Sequence, residues 1–220
     1  MINLENTIRL ILFILLTLFL SSDDAKPEFY KNIKTIQEPN EISVLVNKFY
    51  RLDEHYIPDD LEKININYAN DYKYLRHPAR IAFEKMSQDA KKLGLSVVAV
   101  SAFRSYQYQE KLYQYYVDEK GLAYADLASA RPGHSEHQTG LTVDVMGSNG
   151  DYNLFEDAIE FEWVKKNAHK YGFILRYPKG KEKITGFKYE PWHYRYIGVE
   201  DATIIYQKQI TLEEYKKEKA

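Results

Sequence analysis

The order of periodicities along this chain predicts an α+β fold, a single domain with a small antiparallel sheet flanked by helices. Three observations carry that expectation. Ile81, Phe83, Met86 and Leu93 fall near one helical face, and a Val-rich run that alternates up to Phe103 follows at once. A second alternating run, Leu141 to Met146, leaves a Gly/Pro-containing loop, with Thr142, Asp144 and Met146 on one face and Leu141, Val143 and Val145 on the other. Finally, Phe155 to Tyr171 reads as a helix closed by Gly172. Two strand-like runs follow it, Phe173 to Tyr177 and Tyr189 to Ile197, around a Lys/Gly-rich turn.

Taken from the amino terminus, residues 1–25 carry Arg9, an apolar run from Leu10 to Leu20 broken only by Thr17, and then Ser21-Ser22-Asp23-Asp24. This is the pattern of an export signal, because a run of eleven falls short of the roughly 20 apolar residues a spanning helix needs. Glu5 offsets Arg9, and no small-x-small site precedes Asp23, so both a cleaved signal peptide and a retained amino-terminal membrane anchor are open. Residues 26–40, with Pro27 and Pro39, read as a linker, and the domain is placed at 41–220. Within it, Ile42, Leu45, Val46, Phe49 and Tyr50 suggest a first amphipathic helix. Pro78 suits the first turn of the next helix and Gly94 its end. Leu95 to Phe103 is a strand that delivers Arg104 to an edge or cleft. Ser105 is placed to cap a helix that ends at Gly121, and a short helix over Tyr124 to Ser129 comes next. Ala130 to Gly140 is a loop entering the site, and the charged tail beyond Thr211 is helical.

Composition removes several function classes. A net charge of −2 from interspersed charges provides no continuous basic face, which argues against a nucleic-acid partner. The chain has no cysteine, so disulfides, thiol catalysis and thiolate-held zinc are excluded, and any zinc must be held by His and carboxylate. Twenty tyrosines suit either a wet cleft or the margin of a core.

The chemistry concentrates in Ser135-Glu136-His137-Gln138-Thr139-Gly140-Leu141-Thr142-Val143-Asp144 and in Glu190-Pro191-Trp192-His193. A hydrolytic zinc takes three protein ligands of the His/His/carboxylate kind and keeps a fourth position open for water. It also works beside a carboxylate that is not a ligand. His137, Asp144 and His193 supply the ligand set and Glu190 the free carboxylate. In an ideal strand, Glu190 and His193, three apart, would point to opposite faces, so a kink or bulge at Pro191 is expected to bring both into one cleft. His134 and His169 are not chosen as ligands. The first is expected to hydrogen-bond locally, the second to meet helix-terminal carbonyls. Trp192, Tyr189, Tyr194 and Tyr196 read as packing rather than recognition.

Ser101-Ala102-Phe103-Arg104-Ser105, the run Ala130 to Gly140, Asp144 and Glu190-Pro191-Trp192-His193-Tyr194 together resemble the VanY-type D-alanyl-D-alanine carboxypeptidases over roughly residues 75 to 200. Similar motifs belong to cell-wall L,D-carboxypeptidases and D-alanyl-D-alanine dipeptidases, and the zinc-peptidase fold extends to hedgehog domains. The resemblance implies one zinc per chain on His137, Asp144 and His193, with Glu190 as general base and acid and Arg104 as transition-state stabiliser. It also implies Arg104, Gln109 and Ser135 as substrate contacts. The expected activity is an exported D,D-carboxypeptidase acting on peptidoglycan stem peptides. An L,D-carboxypeptidase acting on tetrapeptides is the alternative, and a zinc-stabilised module that binds wall peptides without cutting them is a third reading.

Overall fold

The computed structural model describes residues 28–219; the export segment read at residues 1–25 lies outside them. An α+β domain is observed. Its centre is a four-stranded antiparallel sheet of order β5-β6-β8-β7, formed by β5 (Val98–Ser101), β6 (Thr142–Met146), β7 (Phe173–Leu175) and β8 (His193–Tyr196). Two small pairs precede it: β1 (Lys34–Thr35) runs parallel to β2 (Tyr50–Arg51), and β3 (Leu61–Lys63) antiparallel to β4 (Tyr74–Arg76).

One face of the sheet is covered by α1 (His77–Lys92), which buries Ala79, Phe83, Met86 and Ala90 against Ala99, Val143, Val145, Phe173 and Tyr194. Phe83 meets Phe173 edge-on at 6.3 Å, the arrangement aromatic quadrupoles favour. As the pattern predicts, Pro78 sits in the first turn of α1, where its missing N–H costs nothing, and Gly94 takes φ +78° just beyond the end. The other face of β6 carries Thr142 and Asp144. Both are buried, and this is the face on which the chemistry gathers.

Helix α2 (Tyr106–Lys120) starts where Ser105 accepts the Tyr108 N–H at 3.2 Å and stops at Gly121. Helix α3 (Leu122–Ala128) follows directly. Beyond the sheet, α6 (Val199–Lys208) and α7 (Leu212–Lys219) pack a second apolar cluster around Ile174, Ile205, Leu212 and Tyr215.

Three expectations are corrected. Ile42 to Tyr50 is not a helix, because the Asn47 side chain accepts the N–H groups of Phe49 and Tyr50 and turns the chain into β2. Val44, Val46 and Leu52 bury together instead. Residues 28–40 do not behave as a free linker: β1 pairs with β2, and the Tyr30 ring stands edge-on to His134 at 5.0 Å. The long helix over 155–171 is broken into a 3-10 segment (Tyr152–Asp157), α4 (Phe161–Asn167) and a second 3-10 segment (Ala168–Tyr171). The remaining α-helix among the described residues is the single turn α5 (Glu182–Thr185).

Candidate active site

Sheet register brings two of the three predicted ligands together. Asp144 on β6 lies directly opposite His193 on β8, and their side chains approach to 3.1 Å between Oδ1 and Nδ1. His137 arrives from the loop. It sits in a 3-10 turn (Glu136–Thr139) that Ser135 caps by accepting the His137 N–H, and that ends at Gly140 with φ +66°. This left-handed residue turns the chain straight into β6, which glycine does without the strain a Cβ would bring. A second anchor comes from the end of β5. The His137 ring Nδ1 lies 2.6 Å from the Ala102 carbonyl, and the Arg104 N–H donates to the His137 carbonyl at 3.2 Å.

Glu190 reaches the same cleft by a simpler device than a kinked strand. β8 begins only at His193, and Glu190 to His193 form a turn closed by the His193 N–H on the Glu190 carbonyl at 3.2 Å. Pro191 occupies the second turn position, for which its fixed φ is suited. The expected bulge is therefore replaced by a turn before the strand, and Glu190 Oε2 ends 3.4 Å from His193 Nδ1.

His137, Asp144 and His193 are all buried, and each offers a donor atom within 4.8 Å of the others. His137 Nε2 and Asp144 Oδ1 are sealed from solvent and make no well-aligned hydrogen bond among the described residues; their nearest polar neighbours are the other two donors, with His137 Nε2 3.3 Å from Asp144 Oδ2 and Asp144 Oδ1 3.1 Å from His193 Nδ1. Buried polar atoms left unpaired are costly, and here they converge on one point, which fits a shared divalent cation. The ring orientation also fits, since His137 Nδ1 is committed to a backbone carbonyl and its Nε2, turned toward Asp144, would be the nitrogen available to a metal.

The charges agree with this arrangement. Burial, reinforced by Arg104, holds His137 down to about 4, so the ring is neutral and able to ligate. Burial opposes ionisation of Asp144, but the two histidines outweigh it and keep the carboxylate charged. Burial also opposes charge on His193, yet Asp144 and Glu136 beside it push it up to about 9, so a cation bound there displaces a proton. Glu190 is raised to about 7, chiefly by burial, in the range that suits a group that both takes and returns a proton.

A cleft of about 180 Å³ opens over these residues, lined among others by Arg104, Ser135, Tyr152, Tyr177, Lys188 and Trp192. The Tyr152 and Trp192 rings meet edge-on at 5.5 Å to make one wall, and Tyr177 lies 4.7 Å from the His193 ring. A match to the family model described as VanY, D-alanyl-D-alanine carboxypeptidase, spans residues 72–199. The chain belongs to the VanY D-alanyl-D-alanine carboxypeptidase family. Within and around this family, the bifunctional D-Ala-D-Ala dipeptidase and D-Ala-D-Ala carboxypeptidase VanXYC of Enterococcus gallinarum is 35% identical over 176 residues, 78% of this chain and 91% of that one. The solved LdcB LD-carboxypeptidase is 43% identical with a TM-score of 0.80, over 85% of this chain and 91% of its own. The vancomycin-resistance D,D-pentapeptidase VanY, solved as a glutamate-to-alanine mutant in complex with Zn(II), is 32% identical with a TM-score of 0.69. That match covers 79% of this chain and 98% of the other.

Among the other residues read from the sequence, Arg104 and Ser135 line the cleft. Gln109 is buried behind it, where its amide donates to Ser129 Oγ at 3.0 Å and to the Ala130 carbonyl at 2.8 Å, so it braces the loop instead of lining the opening. His134 Nδ1 is 2.7 Å from the Asn47 carbonyl, a distant partner in sequence. His169 stacks flat on Tyr206 at 3.9 Å, and its ring is engaged there and not on helix-terminal carbonyls. Tyr194 packs in the core as expected, whereas Trp192 joins the cleft wall. Tyr177, Tyr152, Arg176 and Arg195 were not singled out by sequence reasoning. Arg195 had a signal, because on β8 it shares the period-2 face of His193.

Proposed function

We propose that this protein is an exported zinc carboxypeptidase that removes the carboxy-terminal D-alanine of peptidoglycan stem peptides. The observation that carries this reading is the convergence of His137, Asp144 and His193 with a non-ligand carboxylate, Glu190, on the same cleft. A pure binding module has no use for that fourth group. His137, Asp144 and His193 would hold the zinc, which when bound would supply Lewis acidity, bringing the pKa of water from 15.7 toward about 7 and polarising a carbonyl. Glu190 takes the proton of the attacking water and returns it to the leaving amine, so the residue's raised affinity for a proton serves both halves of the reaction. Arg104, whose Nε is buried without a partner among the described residues, faces the cleft to hold the negative charge that grows on the carbonyl oxygen. Ser135 and the Tyr152–Trp192 wall orient the peptide, and Gln109 acts behind the loop. Export follows from the amino-terminal apolar run and from the location of such substrates.

Two bonds compete. The family description supports cleavage between two D-alanines. The likeness to LdcB, greater in both identity and TM-score than that to VanY, favours the L,D bond of a tetrapeptide, and we adopt L,D-carboxypeptidase as the finer reading. Mass spectrometry of synthetic tetra- and pentapeptide stems after incubation with the zinc-loaded protein tests it. Loss of one alanine from the tetrapeptide is expected. Loss from the pentapeptide alone returns the assignment to D,D, and cleavage of neither with zinc bound leaves the binding module.

A further inference from the structure

We propose that Glu136 is the positioning residue that fixes His193 as a ligand through Nδ1, and that the carboxy-terminal helix α7 acts on the site through it. The inference rests on the reading of His193 as a metal ligand. It concerns a residue outside the candidate donor set of His137, Asp144 and His193.

The two nitrogens of His193 face different groups. Nδ1 looks toward Asp144 and Glu190, at 3.1 and 3.4 Å. Nε2 looks the other way, 3.6 Å from Glu136 Oε2. Both atoms of this second pair are buried and neither has another hydrogen-bond partner among the described residues, so each is the other's only available complement. The separation exceeds an ordinary N–H···O bond by a few tenths of an ångström, so the pair is an electrostatic contact between facing atoms and not a formed hydrogen bond. A carboxylate can only accept, and a neutral imidazole carries one N–H. Glu136 therefore selects the tautomer protonated at Nε2 and leaves the Nδ1 lone pair toward Asp144. His137 is set the opposite way: its Nδ1 faces the Ala102 carbonyl and its Nε2 faces Asp144 Oδ2 at 3.3 Å. Two histidines of one site thus ligate through different nitrogens, and each is set by its outer partner.

Glu136 can do this because it is itself immobilised. Its other oxygen, Oε1, accepts from Arg176 Nε at 2.8 Å and from Arg195 Nη1 at 2.9 Å, and all three side chains are fully buried. Two guanidinium groups on one carboxylate leave excess positive charge, which Glu213 of α7 balances. It takes two bonds from Arg176, at 2.7 and 2.9 Å, a bidentate pairing with fixed geometry. Arg195 in turn donates to the carbonyls of Ile42 and Val44, at 3.0 and 2.8 Å. The carboxy-terminal helix and the segment preceding β2 are thereby tied to the carboxylate that aims a ligand. Salt bridges placed only for folding have no need to leave Oε2 free and facing a histidine.

The test is zinc affinity by chelator competition, with the His193 tautomer read from long-range ¹H–¹⁵N spectra of the zinc-loaded full chain. Glu136→Gln is expected to weaken zinc binding about 10–100-fold and to lose the pure Nε2-protonated signature. Because that change leaves two buried arginines short of charge, Glu213→Gln provides a second variant that touches no ligand, expected to weaken zinc about threefold or more with an unaltered circular-dichroism spectrum. A folded Glu136→Gln protein with wild-type zinc affinity and an unchanged tautomer would overturn the positioning role. Wild-type affinity in Glu213→Gln would overturn the part assigned to α7. Failure of the wild type itself to bind zinc would overturn the metal-site reading instead, a result distinguishable from the other two.

Discussion

If Glu190 is the general base proposed above, Glu190→Gln removes the cleft's proton acceptor while keeping its shape and the three candidate metal donors His137, Asp144 and His193. The size of the effect follows from what else could take the proton. Three carboxylates line the cleft: Glu136, Asp144 and Glu190. Glu136 is fully buried and pinned by Arg176 and Arg195, which hold its affinity for a proton well below the ordinary range despite burial. Asp144 is likewise held ionised, by His137 and His193, and its charge is committed to the metal position. Neither can substitute. A positioned general base contributes about 10²–10⁴-fold, and with no understudy the upper part of that range applies, a loss of about 10³–10⁴ in kcat, or about 4–5.5 kcal/mol. KM should move by less than about threefold, since Glu190 acts on the water and not on the peptide. The assay is release of D-alanine from a stem peptide, with zinc content measured on the same sample. A kcat loss smaller than about tenfold with zinc fully bound would refute the assignment of Glu190 as base.

Three further outcomes follow from the packing. In Gly140→Ala a Cβ would lie 2.8 Å from Leu61 Cδ2 and 3.0 Å from Arg76 Cγ at a φ of +66°; a loss of about 1–3 kcal/mol in chemical denaturation is expected, with weaker zinc binding because this turn carries His137. Phe83→Ala empties the centre of the core between α1 and the sheet and should cost about 3–5 kcal/mol, roughly 6–20 °C in Tm; a drop under about 3 °C would contradict the packing described. Lys48 is buried beside the rings of Phe29, Tyr30 and Phe187, and burial lowers it from 10.5 to about 8. Between those values the unfolded chain holds more protons, so stability rises with pH through about 8 toward 10.5. The Tm of the wild type should therefore gain on that of Lys48→Met between pH 7 and pH 9.5, and a flat difference would show that burial does not lower Lys48.

What could be read in the sequence and what could not divide along the range of the interactions involved. His137 and Asp144 were legible because seven residues and one glycine connect them, and Glu190 with His193 because a four-residue turn suffices; even the apparent conflict of strand parity at Glu190 marked the place where the strand had not yet begun. The helix expected over Ile42 to Tyr50 failed for a local reason that was also in view, an asparagine whose side chain competes for backbone N–H groups. The charged network beneath the site is another matter. Glu136 meets arginines 40 and 59 residues away, and one of them reaches on to a glutamate in the charged tail that reads as a solvated helix end. Hydropathy assigns all of these to the surface, since a charge is buried only when its partner is, and no single position reveals its partner. Parity offers the one usable hint. On β8, His193 and Arg195 share a face while Tyr194 turns to the core, so a strand that sends a histidine and an arginine inward together must bury a carboxylate against them. Glu136, next to His137 and with one oxygen held by two arginines, meets that requirement, which places the supporting charge in the same ten-residue segment as the candidate donors His137 and Asp144.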